Sequence, residues 1–271
     1  MTAISFMSAN FLARESGYHL SGGWMAGDRA TNARFAPLES FETRFAELLG
    51  SVRGMGFEAL DLWTAHLNPA WAAPEHIAIA RRLLSEHQIQ VISLAGGFGQ
   101  TQAEFLAACR LAAALGVPLL GGGTPLLFSD QAFVISVLRD HKLQLGYENH
   151  PERTAQALLA KLGDQGVDCL GVTLDTGTFA TEGFDAAQAV RELSQRLFYV
   201  HLRDVPAAGQ EDSCRLGTGS VDFPACLLAL QDCGYGGALS VEQEPESFDP
   251  TADCMAGLAQ VRAWLAALPQ R

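Results

Sequence analysis

A chain of 271 residues that is 48% hydrophobic is long enough to bury one large core and too apolar to stay disordered. Its formal charge of −12 argues against nucleic acid or an anionic membrane as a partner, because phosphate backbones are held by basic patches. No apolar run approaches the ~20 residues needed to span a bilayer. The N-terminus Met1–Met7 lacks the basic and apolar regions of a signal peptide, so a cytoplasmic protein is expected. Cys109, Cys169, Cys214, Cys226, Cys233 and Cys254 lie far apart with no C-x-x-C pair, and read as reduced thiols rather than zinc ligands.

The first expected strand is Ile4–Ala9. Residues 11–38 follow, rich in Gly, Ser, Asn and Arg, and a connection this long reads as a lid or binding loop. Ser40 is placed to cap a helix over Phe41–Arg53, where Phe41, Phe45, Leu48, Leu49 and Val52 share one face. Phe57–Trp63 is the second strand and Pro74 opens a helix to about His87. Ile89–Leu94 is the third strand, broken by Gly96-Gly97, and a helix covers Thr101–Leu115. Val117–Leu120 runs into Gly121-Gly122-Gly123, and Asp130–His141 reads as a short helix.

The fifth strand climbs from Lys142 to Tyr147 and ends at Glu148, before a helix at about Arg153–Leu162. Leu170–Leu174 ends in Asp175, with a helix at about Asp185–Gln195. Leu197–Val200 ends in His201, followed by a loop over 203–219 and a helix from Phe223 to Cys233. Ala238–Val241 ends in Glu242, and Thr251–Leu268 is the last helix. Eight strands alternating with helices near every 30 residues predict a single-domain (β/α)8 TIM barrel over residues 1–271. An open doubly wound sheet is disfavoured, since no G-x-G-x-x-G follows the first strand.

In such a barrel, chemistry sits at the carboxyl ends of the strands. Glu148, Asp175, His201 and Glu242 occupy that place on four consecutive strands. Three carboxylates and an imidazole suit one hard or borderline divalent ion with open positions. One polar residue at a strand end is ordinary; four at equivalent places are not.

Tyr147-Glu148-Asn149-His150, Leu174-Asp175-Thr176-Gly177, His201-Leu202-Arg203-Asp204, Gly217–Phe223 and Gly234–Glu242 carry a resemblance to the sugar phosphate isomerase/epimerase family, within the xylose-isomerase-like barrels. It covers the C-terminal half, and reaches the N-terminal half through Phe57–Trp63 and His66. The resemblance implies that Glu148, Asp175, His201 and Glu242 bind one divalent metal: Mn²⁺ first, with Zn²⁺, Mg²⁺ or Co²⁺ as alternatives. It implies a small-molecule carbohydrate partner, homo-oligomers in common with many relatives, and Glu148 and Glu242 as catalytic base and acid on opposite faces of the substrate. The metal would hold the oxygens of a ketose or inosose while an enediolate forms.

Ketose 3-epimerases and AP endonucleases carry a histidine three residues after the matching aspartate, where this chain has Thr178. The 3-epimerases also carry an arginine six residues after the matching histidine, where it has Ala207. AP endonucleases need further metal ligands that are missing after the seventh strand. A dehydratase of the inosose type and a non-catalytic sugar-binding barrel are the rival readings.

His66 is a candidate for a substrate hydroxyl or for a backbone cap, and His150 for orienting Glu148 or touching the sugar. Arg203 would meet a phosphate or carboxylate, or form an ion pair. Asp204 would brace His201 or Arg203, or form a turn. Gly217-x-Gly219 before a helix resembles an anion cradle. Trp63, Trp71 and Trp24 are candidates to wall the barrel mouth. Trp264 reads as core, and His19, His76, His87 and His141 as surface.

Overall fold

The structure is a computed structural model that describes residues 2–269; Met1, Gln270 and Arg271 of the expected 1–271 domain lie outside the described residues. Eight strands are described: β1 (Ile4–Met7), β2 (Ala59–Trp63), β3 (Gln90–Gly97), β4 (Leu119–Gly123), β5 (Gln144–Glu148), β6 (Leu170–Asp175), β7 (Leu197–Leu202) and β8 (Leu239–Val241). Each pairs in parallel with the next, and β8 pairs back onto β1, so the sheet closes into the expected (β/α)8 barrel. Closure leaves no free sheet edge.

The helices α1 (Trp24–Phe35), α2 (Leu38–Gly54), α3 (Pro74–Glu86), α4 (Gln102–Leu115), α5 (Leu126–Ser129) and α6 (Gln131–His141) accompany the first half. The second half carries α7 (Ala155–Leu162), α8 (Thr176–Thr181), α9 (Ala186–Leu193), α10 (Phe223–Asp232) and α11 (Thr251–Ala267). Among the described residues no helix is long and apolar enough to cross a membrane. Helix α2 shows why these segments fold where they do. Phe41, Phe45, Leu48, Leu49 and Val52 recur at helical spacing and are all buried against the barrel. Asp130, Thr154, Asp185 and Asp222 cap the helices that follow them, each accepting from a first-turn amide.

Three expectations change. The connection after β1 contains α1, because that helix lacks an apolar stripe and buries only Gly27, Thr31 and Phe35, which leaves periodicity nothing to register. Helix α2 begins at Leu38 after Pro37, and Ser40 lies inside its first turn, its Oγ donating to Pro37 O rather than capping. Strand β3 continues through Gly96 and Gly97, which pair with Gly122 and Gly123 of β4. Gly122 adopts φ +138°, and a Cβ there would lie 2.1 Å from Gly96 O, so the close approach of these strands requires glycine.

Candidate active site

Parallel strands in register present the same face to the barrel interior, so Asp175 on β6 lies beside His201 on β7. Glu148 ends β5 and Glu242 directly follows β8. His201 is 1% exposed, and its Nδ1 lies 2.8 Å from Glu148 Oε1 and 2.9 Å from Glu242 Oε2. Among the described residues, Glu242 Oε2 is buried with no aligned hydrogen bond, its 2.9 Å contact with His201 being a charge contact. A buried carboxylate oxygen without an aligned hydrogen bond, a second carboxylate and a ring nitrogen converging on one point form a donor set that fits a divalent cation.

Asp175 stands differently. Its Oδ1 accepts from the amides of Gly177 (2.7 Å) and Thr178 (3.2 Å), capping α8. Its Oδ2 accepts from Thr178 Oγ1 (2.7 Å) and Arg203 Nε (2.8 Å). The aspartate groups with Glu148 and His150 rather than with the His201 ring, and Glu148 belongs to both groups. Asn149 ties the two strand ends together, its side chain accepting from Asp175 N at 2.7 Å and donating to Asp175 O at 3.1 Å.

Charge follows this layout. Burial pulls the His201 imidazolium down, but the Glu242 and Glu148 carboxylates outweigh it and hold the ring well above the usual histidine range. Burial raises Glu148, yet His201 and His150 carry it well below the carboxylate range. Glu242 moves the other way: burial raises it and His201 offsets only part. Arg203 loses to burial but is held above its ordinary value by Asp175 and Glu242.

Glu148, Asp175, Arg203 and Glu242 line a cavity of about 1130 Å³ at the carboxyl ends of the strands, and His201 is buried beside them outside the lining. Trp63, 1% exposed, and Trp24 wall it, their rings edge-on at 5.4 Å. Trp71 does not line it; its Nε1 donates to Asn32 Oδ1 and its ring packs on Phe41 and His76. His150 reaches the cavity with its side chain 54% exposed, 3.7 Å from Glu148 Oε2 and 3.8 Å from Asp175 Oδ2. His66 is buried outside the lining, its Nδ1 3.1 Å from Ser8 Oγ, and burial lowers it to about 3, so it is a neutral packing residue. His76 is likewise buried rather than on the surface, accepting from Ala73 N and bonding Ala36 O. Trp264, expected in the core, is half-buried, packing against the core and stacking on Phe223.

Asp204 braces neither His201 nor Arg203. Its wholly buried carboxylate accepts from the amides of Val205, Gly217, Gly219 and Val221 at 2.8–3.1 Å. The glycine cradle therefore holds an anion of its own chain, which removes that loop as a phosphate site.

Two further residues bear on the site: the first the sequence offers only as a rival to Glu242 for the place of fourth ligand, and the second escaped the sequence reading. Glu244 accepts from Trp24 Nε1 at 3.0 Å and lines the cavity, and burial, with Glu242 beside it, pushes its carboxyl up to about 8. Two residues on, Glu246 O accepts from Leu20 N (3.2 Å), so the segment after β8 is tied to the segment after β1 over the mouth. The second is Asp61, wholly buried in the middle of β2. A carboxylate within Ala-Leu-Asp-Leu-Trp was the available signal.

Comparison with known proteins gives the same architecture. The family model described as xylose isomerase-like TIM barrel matches residues 49–268. An L-ribulose 3-epimerase from Mesorhizobium japonicum is 34% identical over 96 residues, 35% of this chain and 30% of that protein. A ketose 3-epimerase from Arthrobacter globiformis is 33% identical over 96 residues, 35% and 31% of the two. The matches to curated relatives span 30–42% of those proteins' length. A crystal structure of a D-tagatose 3-epimerase-like protein superposes with a TM-score of 0.69 at 17% identity, covering 98% of this chain and 97% of the other.

Proposed function

The chain belongs to the xylose isomerase-like TIM barrel family, and on that premise we propose that it is a divalent-metal-dependent isomerase or epimerase of a small, uncharged ketose-type sugar. The observation that carries this reading is the convergence of Glu148 Oε1 and Glu242 Oε2 on His201 Nδ1, at 2.8 and 2.9 Å, with both glutamates lining the cavity. Glu148, His201 and Glu242 would hold the ion, with Asp175 as fourth ligand once Arg203 yields its Oδ2. When bound, the ion would act as a Lewis acid on the carbonyl and neighbouring hydroxyl of the sugar.

The remaining chemistry falls to the chain. Glu148 and Glu242 come from strands three places apart on the ring, and each is assigned a proton at the carbon beside the carbonyl, one removing it and the other delivering it. Their surroundings push them apart, Glu148 down and Glu242 up, which is the asymmetry a base and acid pair needs. Glu148 is the base in this scheme and Glu242 the acid, exchanging roles in the reverse direction. Trp63 gives the sugar an apolar wall, and His150 and Arg203 are assigned to its hydroxyls.

Charge selects against a sugar phosphate. Among the described residues, eight acidic side chains line the cavity against one arginine, Arg203. The glycine cradle is filled by Asp204. The test is metal analysis of protein purified without chelator, followed by a screen of free and phosphorylated ketoses. One ion per chain and turnover of free ketoses is the expected result. Dehydrated products would establish the lyase reading, which shares the proton-abstraction step, and a preference for phosphorylated sugars would refute the charge argument.

A further inference from the structure

Asp61 has no place in the scheme above, yet it is a wholly buried carboxylate in the middle of a barrel strand. It lies in register with Met7 of β1 and Ser93 of β3, on the interior face. Its exposure is 0%, and a buried carboxylate is costly unless a partner compensates it. Two partners do. Ser93 Oγ donates to Oδ1, and Oδ2 lies 2.8 Å from His201 Nε2, a close charge contact rather than an aligned hydrogen bond. Among the described residues, neither Nε2 nor Oδ2 has a hydrogen-bond partner.

The two edges of the His201 ring thus face different worlds. Nδ1 looks up to Glu148 and Glu242, both of which line the cavity. Nε2 looks down to Asp61, which does not. A neutral imidazole carries one proton and one lone pair, and a carboxylate is an acceptor only. Asp61 is therefore matched by an N–H on Nε2, and that choice leaves the Nδ1 lone pair directed at the two glutamates.

We propose that Asp61 is the positioning residue of the metal site: it fixes the orientation and tautomer of His201 so that Nδ1 is the ligand offered to the cation, with Ser93 holding Asp61 in turn. The inference rests on the metal reading proposed above. Asp61 touches neither substrate nor cation, and it acts across the barrel, from the half of the ring that contributes no ligand.

The test is Mn²⁺ affinity of the full chain, measured by chelator competition, for wild type, Asp61→Asn and Ser93→Ala. Asp61→Asn keeps the volume and removes the charge. It should weaken binding roughly 10- to 100-fold, the usual scale for the partner of a ligating histidine, with a smaller loss in Ser93→Ala. The metal-free unfolding transition reports whether the variant is folded. Affinity of Asp61→Asn within threefold of wild type would overturn the assignment while leaving the metal site standing. No ion bound by the wild type would overturn both. Should Asp61→Asn not fold, ¹⁵N-histidine spectra of the Zn²⁺-loaded wild type decide the matter. A protonated Nε2 and coordinated Nδ1 are expected for His201, and coordination through Nε2 would refute the proposal.

Discussion

The two halves of the ring do different work. Strands β5 to β8 carry Glu148, Asp175, His201 and Glu242 at or just past their carboxyl ends, and deliver the charge. Strands β1 to β4 end in Met7, Trp63, Gly97 and Gly123, and deliver space and an apolar wall. A carboxylate pair is useful only where a substrate fits beside it, so the glycines of β3 and β4 are as much part of the site as the acids opposite. Asp61 is the point where the quiet half reaches across to the charged one.

The largest effect that would break this division belongs to the charged half. Glu242→Gln should lower turnover at least ~100-fold, the usual scale for a general acid or base, and steady-state rates near wild type would remove Glu242 from its assigned role. Next comes the loop behind His201. Asp204→Ala would strand four buried amides, so a loss of about 3 kcal/mol in urea unfolding is expected. A loss under ~1 kcal/mol would mean the loop finds other partners.

Metal affinity should also follow the His201 proton. Because Glu242 and Glu148 hold the ring above the usual histidine range despite burial, it is protonated at neutral pH in the metal-free chain, and an arriving ion must displace that proton. Affinity should therefore rise with pH, up to ~10-fold per unit for one proton, and level off above the raised value. Calorimetry in buffers of different ionisation enthalpy would show the released proton, and its absence would place the charge elsewhere. The smallest effect tests the spacious half. A Cβ at Gly97 would meet no atom within 4 Å and the position is exposed, so Gly97→Leu should leave stability within ~0.5 kcal/mol. It should raise KM several-fold by occupying substrate volume, and an unchanged KM would move the substrate away from β3.

Much of this was legible before any coordinate. Apolar runs that break into a polar residue mark strand ends, which is why Glu148, Asp175, His201 and Glu242 could be read as one group. What stayed hidden depended on closure or on long-range pairing. Asp61 sits mid-strand, where a polar residue among apolar neighbours looks like a flaw until the barrel sets β2 opposite β7. Helix α1 has no apolar face to betray it. His66, beside a strand end, reads equally as a substrate contact or a backbone cap, and its contact with the Ser8 side chain, across 58 residues, is not visible in sequence. The glycines of the 217–219 loop announce an anion site, but not that the anion is thirteen residues upstream.

That last arrangement has a practical consequence for anyone assaying the protein. A carboxylate tethered within the same chain presents itself to the Gly217 and Gly219 amides at an effective concentration no dissolved anion can match. Phosphate or sulfate in a buffer has nothing to displace it with, so this loop should be indifferent to the choice of salt.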